Sequence, residues 1–293
     1  MTTHRPRRSV LYMPASNPRA IEKAKGLACD VVILDLEDAV APEAKVDARA
    51  QAVAAVRAGG FGDREVVIRC NGLATPWGAD DLRAAAEAGP AAIIAPKVSS
   101  PADIAAYDAA IAGAPAHTEL WAMIETCAAV FALESIAAMA RTSRLSAFCL
   151  GLNDLAKEMG CRQTPDRAPF QAVLTLSVAA GRIHGLTLLD SVFNEIDDLE
   201  ALDRACVQGA DFGFHGKTII HPSHIAACNR AFSPDPGEVA WARAVIAAFA
   251  APENAGRGAL RVDGRLAERL HLAQAERLAA TADAIAARDA AQP

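Results

Sequence analysis

Two acidic residues of the 293-residue chain stand where a divalent cation could be held. Glu125 ends the apolar run Leu120–Glu125 (LWAMIE), and Asp154 ends Ala147–Asp154 (AFCLGLND). If these runs are neighbouring strands, both carboxylates meet at one end of a sheet. Mg²⁺ takes one or two carboxylates and completes its shell with water and substrate oxygens, and a 2-oxo or 2-hydroxy acid supplies two such oxygens by chelation. Spacing alone fits a salt-bridged pair of carboxylates equally well. Arg69 ends a third run, and its planar guanidinium suits a substrate carboxylate or an oxyanion. It could equally neutralise the acidic cluster Asp35-Leu36-Glu37-Asp38. Glu37 and Asp38 could serve both ends, pairing with arginine while receiving metal-bound water.

Other groups are weaker pointers. Lys97 could be a Schiff-base nucleophile with a lowered pKa, although a strand-end lysine more often balances nearby carboxylates. His221 and His224 are spaced for one face of a helical turn without a third ligand, which favours substrate contact or a helix N-terminus over zinc. The stretch Gly213–Lys217 (GFHGK) could approach a phosphate.

Positioning these groups requires a regular scaffold. Short apolar runs alternate with Ala-rich helical stretches: Ser9–Pro14, Val31–Glu37, Val66–Asn71, Ala91–Lys97, Leu120–Glu125, Ala147–Asp154, Leu186–Val192 and Ala210–Gly216. Runs apolar almost throughout fit parallel strands covered on both faces. Intervening stretches such as Asp80–Ala88, Pro101–Ile111 and Ile196–Gln208 read as helices. Eight such strands predict an α/β fold, a closed (β/α)₈ TIM barrel over residues 1–232, rather than an open sheet. Polar residues gather at the carboxyl ends of the runs, including Asp35, Asn71, Asn153, Asp190 and His215, and barrel sites form at that face. Residues 233–293 read as a C-terminal helical extension: a helix over Glu238–Ala251, an extended piece at Leu260–Gly264 and a long helix over Arg265–Arg288. With too little core to stand alone, this extension is expected to act as a lid on the barrel or on a neighbouring subunit.

Composition narrows the partners. A net charge of −6 leaves no basic face for nucleic acid, and the cluster Arg5, Arg7, Arg8 reads as a solvated tail. No apolar run approaches the roughly 20 residues that cross a bilayer, so no membrane is expected. Seven cysteines without a CxxC pair suit free thiols in a reducing cytoplasm rather than a disulfide framework.

The motifs Arg8–Pro14 (RSVLYMP), Asp35–Val40 (DLEDAV), Val67–Asn71 (VIRCN), Ala95–Lys97 (APK), Met123–Thr126 (MIET), Gly151–Leu155 (GLNDL) and Gly216–Pro222 (GKTIIHP) occur in order. They resemble the citrate lyase β-subunit-like (CitE-like) family, which belongs with the malyl-CoA and citramalyl-CoA lyases in the wider HpcH/HpaI aldolase group. The resemblance runs from about residue 7 to 230. It implies a Mg²⁺-dependent barrel acting on a CoA or acyl-carrier thioester and a 2-oxo acid, in a homo-oligomer (trimer or hexamer). It also implies Glu125 and Asp154 as metal ligands, and Arg69 as the grip on the oxo acid. Tyr12, Arg19, Lys23 and His221 fall where members contact substrate or the CoA phosphates. The pattern departs at two places. Glu268 stands where members carry a catalytic aspartate, one methylene longer and without the following proline, and His215 replaces a commoner aspartate.

The resulting expectation is reversible carbon–carbon cleavage of a 3-hydroxy acyl thioester such as malyl-, citramalyl- or citryl-CoA, with Glu268 handling the proton. Alternatives are a malyl-CoA-type thioesterase on the same site, an imine aldolase using Lys97, and a non-catalytic thioester-binding subunit.

Overall fold

A computed structural model describes residues 5–291. The chain divides into two compact units, one spanning Arg7–Phe232 and the other gathering Ser233 onward with the few residues before Arg7.

In the first unit eight parallel strands close a barrel in sequence order. They are β1 (Ser9–Pro14), β2 (Val31–Asp35), β3 (Glu65–Arg69), β4 (Ala92–Val98), β5 (Glu119–Ile124), β6 (Leu145–Leu150), β7 (Thr187–Asp190) and β8 (Gly216–Ile219). Helices α1 (Pro18–Ala24), α2 (Lys45–Ala58), α3 (Gly78–Ala88), α4 (Pro101–Ala110), α5 (Cys127–Ala138), α6 (Leu152–Met159), α7 (Gln171–Ile183), α8 (Leu199–Phe212) and α9 (Ile225–Ala231) follow or link the strands. The expected (β/α)₈ barrel is the observed fold.

Side chains alternate across each strand, and the register turns that alternation into layers. Val10, Ile33, Val67, Ile94, Trp121 and Cys149 belong to one buried cluster that fills the barrel. The residues of opposite parity, among them Leu11, Leu34, Ile68 and Phe148, join the larger cluster between strands and helices. Two residues beyond the interior layer, on the same parity, come Asp35 after Ile33, Arg69 after Val67 and Glu125 after Met123. Period-two geometry thus aims these three charged groups at the barrel's carboxyl-terminal mouth.

Three sequence readings of the barrel need correction. Arg7 and Arg8 are not a solvated tail: both are buried, Arg7 pairing with Glu65 at 2.7 Å and Glu119 at 2.8 Å, and Arg8 with Asp30 at 2.9 Å. They close the amino-terminal end of the barrel, where Arg7 also stacks on Trp121. The eighth strand is not Ala210–Gly216. Ala210–Phe212 ends α8, and the strand is Gly216–Ile219, whose Lys217 and Thr218 are buried by polar partners rather than by apolar character. His215 and the GFHGK stretch therefore lie at the amino end of β8, where His215 Nδ1 accepts the Leu188 N–H at 2.9 Å, away from the carboxyl-terminal mouth. Finally, Asp154 lies not in a strand but in the first turn of α6.

The second unit contains α10 (Pro236–Ala250), the antiparallel hairpin β9 (Ala259–Val262) and β10 (Arg265–Glu268), and α11 (Arg269–Ala291). Residues 265–268, expected to start the long helix, pair as a strand instead. Ala242, Val245, Leu260, Val262, Ala267 and Ala275 form its own small core. All seven cysteines are free thiols, five of them buried. Among the described residues, no helix is long and apolar enough to cross a membrane.

Candidate active site

A cavity of about 270 Å³ opens at the carboxyl-terminal end of the barrel strands, with Tyr12, Arg69, Glu125, Asp154 and Ser191 among its lining residues. Glu125 directly follows β5 and is 1% exposed. Its carboxylate Oε1 accepts the backbone N–H of Lys97 at 2.8 Å. That N–H is aimed inward by an irregularity in β4, where the pairing with β5 shifts between Ala95 and Val98 and Lys97 takes the left-handed φ of 54°. A non-glycine residue pays for that conformation with strain, here offset by the bond to Glu125.

Burial pushes the Glu125 carboxyl up from its ordinary range, against the pull of Lys97. A carboxylate so placed wants a cation. In this structure the Lys97 ammonium takes that place, 3.5 Å from Glu125 Oε1 and in close contact with Asp154 Oδ2. One cationic group therefore lies against both carboxylates, and this pair of acids fits a small divalent ion in its place. Among the described residues no cluster of three or more histidine, cysteine or acidic groups forms a complete metal cage. An ion held here would take its remaining ligands from water and substrate, as Mg²⁺ commonly does. Although burial opposes its charge, pairing with Asp154 and the field of Glu125 raise the Lys97 pKa. That is the reverse of what an imine-forming amine requires.

Why Glu125 and Asp154 come together is local chemistry. The two are joined through Gly151, which ends the β6–α6 turn, and a Cβ at that position would meet Glu125 Cβ and Oε2 at 2.6 Å. Only glycine lets the turn pass over the carboxylate. The helix α6 then begins at Leu152, placing Asp154 in its first turn, where the helix dipole favours an acid.

Arg69 is held rather than free. Its Nε and Nη2 donate to the two oxygens of Asp35, each at 2.7 Å. Nη1 lies 3.0 Å from Glu37 and 3.3 Å from Asp38, and the guanidinium stacks 4.7 Å from the Tyr12 ring centroid. With Asp35 taking two of its N–H groups, Arg69 compensates Glu37 only in part. Glu37 Oε2 is buried without an aligned hydrogen bond, and burial pushes its carboxyl up to about 8. Burial likewise raises the Tyr12 phenol well above its ordinary range.

The other sequence candidates are placed differently. Arg19 and Lys23 are exposed on α1, at the four-residue spacing that puts both on one helix face, and neither lines the cavity. His221 is exposed and its ring accepts from the Ser223 backbone N–H, so it caps a short turn, while its neighbour Ile220 lines the cavity. Glu268 is an exposed residue at the end of β10 in the second unit. Asp190, counted among the strand-end polar groups, points the other way. Leu189 faces the interior, so Asp190 turns outward and is buried against Arg167 at 2.7 Å and Lys217 at 3.0 Å.

Sequence reasoning missed Gly151 and Ser191. A glycine followed by Leu-Asn-Asp after an apolar run was a signal for the first. Nothing local marks Ser191.

Comparison with known proteins extends the picture. The profile of the HpcH/HpaI aldolase/citrate lyase family matches residues 8–222. The (3S)-malyl-CoA thioesterase of Cereibacter sphaeroides is 47% identical over 282 residues, covering 96% of each chain. An L-malyl-CoA/β-methylmalyl-CoA lyase of the same species is 35% identical over 309 residues, covering 97% of this chain and 96% of the relative. Among solved structures, CitE from Mycobacterium tuberculosis in complex with magnesium, acetoacetate and coenzyme A superposes with a TM-score of 0.75 at 29% identity, covering 96% of this chain and 99% of that one. A barrel of this topology, carrying paired acids and a locked arginine at its mouth and matched over most of its length, makes the chain a member of the HpcH/HpaI aldolase/citrate lyase family.

Proposed function

We propose that this chain is a Mg²⁺-dependent enzyme of malyl-type CoA thioesters, and that it hydrolyses them. The observation that carries the reading is the Lys97 ammonium lying against both Glu125 and Asp154, beside the immobilised guanidinium of Arg69. The magnesium-bound CitE structure supports the choice of metal. Support for hydrolysis over carbon–carbon cleavage is the 47% identity to a malyl-CoA thioesterase, against 35% to a lyase.

In this proposal Glu125 and Asp154 hold the ion, which when bound would polarise the oxygens of the hydroxy-acid part of the substrate. Arg69, locked by Asp35 and stacked on Tyr12, grips the substrate carboxylate without spending entropy on its own rotamers. Glu37 and Asp38 would accept hydrogen bonds from water on such an ion. Arg19 and Lys23 meet the CoA phosphates, and His221 contacts the substrate. Glu268 of a second copy, in a trimer or hexamer, takes the proton of the attacking water. The water oxygen bonds to the thioester carbonyl carbon, the carbon–sulfur bond breaks, and the CoA sulfur leaves as thiolate and collects a proton. The products are a free hydroxy acid and CoA. The proposed location, that of CoA chemistry, is the cytoplasm.

The lyase expected from sequence is the second reading, favoured by the lyase relative. The same grip on the hydroxy acid would then direct cleavage to an acyl thioester and a 2-oxo acid. Purified protein incubated with malyl-CoA and Mg²⁺ decides between them. Hydrolysis releases one thiol per substrate and no 2-oxo acid, whereas cleavage yields a 2-oxo acid and no thiol. EDTA, Glu125→Ala and Asp154→Ala are each expected to abolish turnover. Full EDTA-sensitive activity in either variant would remove that residue from the metal centre.

A further inference from the structure

The helix that carries Asp154 begins without a cap of its own. Four backbone N–H groups at a helix start lack internal partners, and a side-chain oxygen at the N-cap residue usually satisfies one. Here the N-cap is Gly151, and no side chain can be added there because a Cβ would run into Glu125. The first N–H of α6, that of Leu152, donates instead to Ser191 Oγ at 3.1 Å, across to the loop after β7.

Ser191 is itself held on both sides. Its N–H donates to Asp190 Oδ1 at 2.8 Å, and its carbonyl accepts from the Lys217 ammonium in close contact. Lys217 also donates to Asp190 Oδ2 at 3.0 Å. Arg167 Nη1 reaches both Asp190 oxygens at 2.7 and 2.8 Å, while Thr218 Oγ1 donates to the Asp190 carbonyl at 3.0 Å. Asp190, Ser191 and Lys217 are each at most 1% exposed. The space for the Asp190 carboxylate comes from Gly209 on α8, where a Cβ would stand 2.8 Å from Asp190 Oδ2. Asp190 and Lys217 lie on the outward side of β7 and β8, whereas Ser191 and Thr218 line the cavity, and the Ser191 hydroxyl accepts from the helix start.

We infer that Ser191 is the cap of α6 supplied from the loop after β7, and that this serine, held by Asp190 and Lys217, is a positioning residue that fixes Asp154 relative to Glu125. The inference rests on the metal-centre reading above. Glu125 crowds out a local cap, so the cap comes from the loop after β7 and needs a rigid ion-paired base. Partners that orient metal ligands typically cost about 10- to 100-fold in metal affinity when removed.

The test is Mn²⁺ binding to the full-length protein, followed by electron paramagnetic resonance of the free ion, for wild type, Ser191→Ala, Ser191→Thr, Lys217→Met and Glu125→Ala. The expected result is a dissociation constant raised about ten-fold in Ser191→Ala and in Lys217→Met. Ser191→Thr, which keeps the hydroxyl, should restore binding to within about two-fold of wild type, and Glu125→Ala should not bind. Ser191→Ala binding Mn²⁺ like wild type, with Glu125→Ala silent, would overturn the positioning role and leave the metal centre standing. Equal weakening in the alanine and threonine variants would also overturn it, since packing and not the hydroxyl would then matter. Unchanged binding in Glu125→Ala would instead remove the metal centre itself.

Discussion

Gly151→Ala tests the geometry of the proposed metal site more directly than deletion of a ligand does. The backbone at Gly151, with φ −112° and ψ 71°, lies outside the left-handed region, so alanine meets no left-handed penalty there. What it meets is Glu125. The added Cβ would stand 2.6 Å from Glu125 Cβ and from Oε2, and 3.1 Å from Met123 Cε. Favourable carbon contacts lie near 3.5 to 4 Å, so the glutamate or the turn must retreat by roughly 1 Å. Overpacking of this kind costs about 1 to 3 kcal/mol. At about 2 to 4 °C per kcal/mol for a unit of this size, the melting temperature should fall by several degrees. The larger effect is on chemistry, because a displacement of about 1 Å in a reacting constellation can cost roughly 100-fold in rate. The assay is kcat for malyl-CoA turnover at saturating Mg²⁺, with the melting temperature measured on the same preparation. A variant with wild-type kcat and wild-type melting temperature would refute the argument, since the carboxylate could not then lie under the turn.

Three further outcomes follow from the charged groups. Asp190→Asn should destabilise the protein by about 3 to 5 kcal/mol, because it strips the buried Lys217 and the half-buried Arg167 of their shared anion; urea unfolding measures this, and a loss under 1 kcal/mol would contradict the pairing. Glu37, with its carboxyl pushed up to about 8, holds a proton in the folded protein that the unfolded chain releases near 4.5. Its contribution is therefore fully present below about pH 4.5 and is lost as the pH rises through 8, at a cost of at most about 5 kcal/mol at ~1.4 kcal/mol per pH unit. Metal-free melting curves of wild type and Glu37→Gln should diverge in the glutamine variant's favour between pH 5.5 and 9, and parallel curves would count against the buried proton. Arg69→Lys keeps the charge but loses the two-pronged hold of Asp35 and the stack on Tyr12. It should raise KM and lower kcat/KM at least about ten-fold, and unchanged kinetics would show that the planar fork is not used.

The sequence was most legible where one physical rule acts alone. Strands covered on both faces must be apolar throughout, so seven of the eight runs were placed close to their observed positions. The same period-two rule carried Asp35, Arg69 and Glu125 to the mouth, because each stands two residues beyond an interior apolar side chain. The eighth strand escaped because it breaks the apolar rule. Gly216-Lys217-Thr218-Ile219 is buried through hydrogen bonds and an ion pair with Asp190, and no apolar count detects burial of that kind. Arg7 and Arg8 were misjudged for the same reason, their partners Glu65, Glu119 and Asp30 lying 22 to 112 residues away.

The sequence alone determined the barrel, the course of seven of its strands and the placing of Asp35, Arg69 and Glu125 at its mouth, because hydrophobic periodicity is a local property of the chain. Tertiary structure alone decided which charges face the cavity and which lie behind it. Asp190 and Glu125 both follow apolar strand residues, yet they differ by one step of alternation relative to the interior. Only the closed register converts that step into opposite sides of the wall. It also decided that α6 would be capped by a serine 39 residues along the chain. A hydrogen bond from a helix start to the loop after another strand is set by where the barrel closes, and no short window of sequence contains both of its partners.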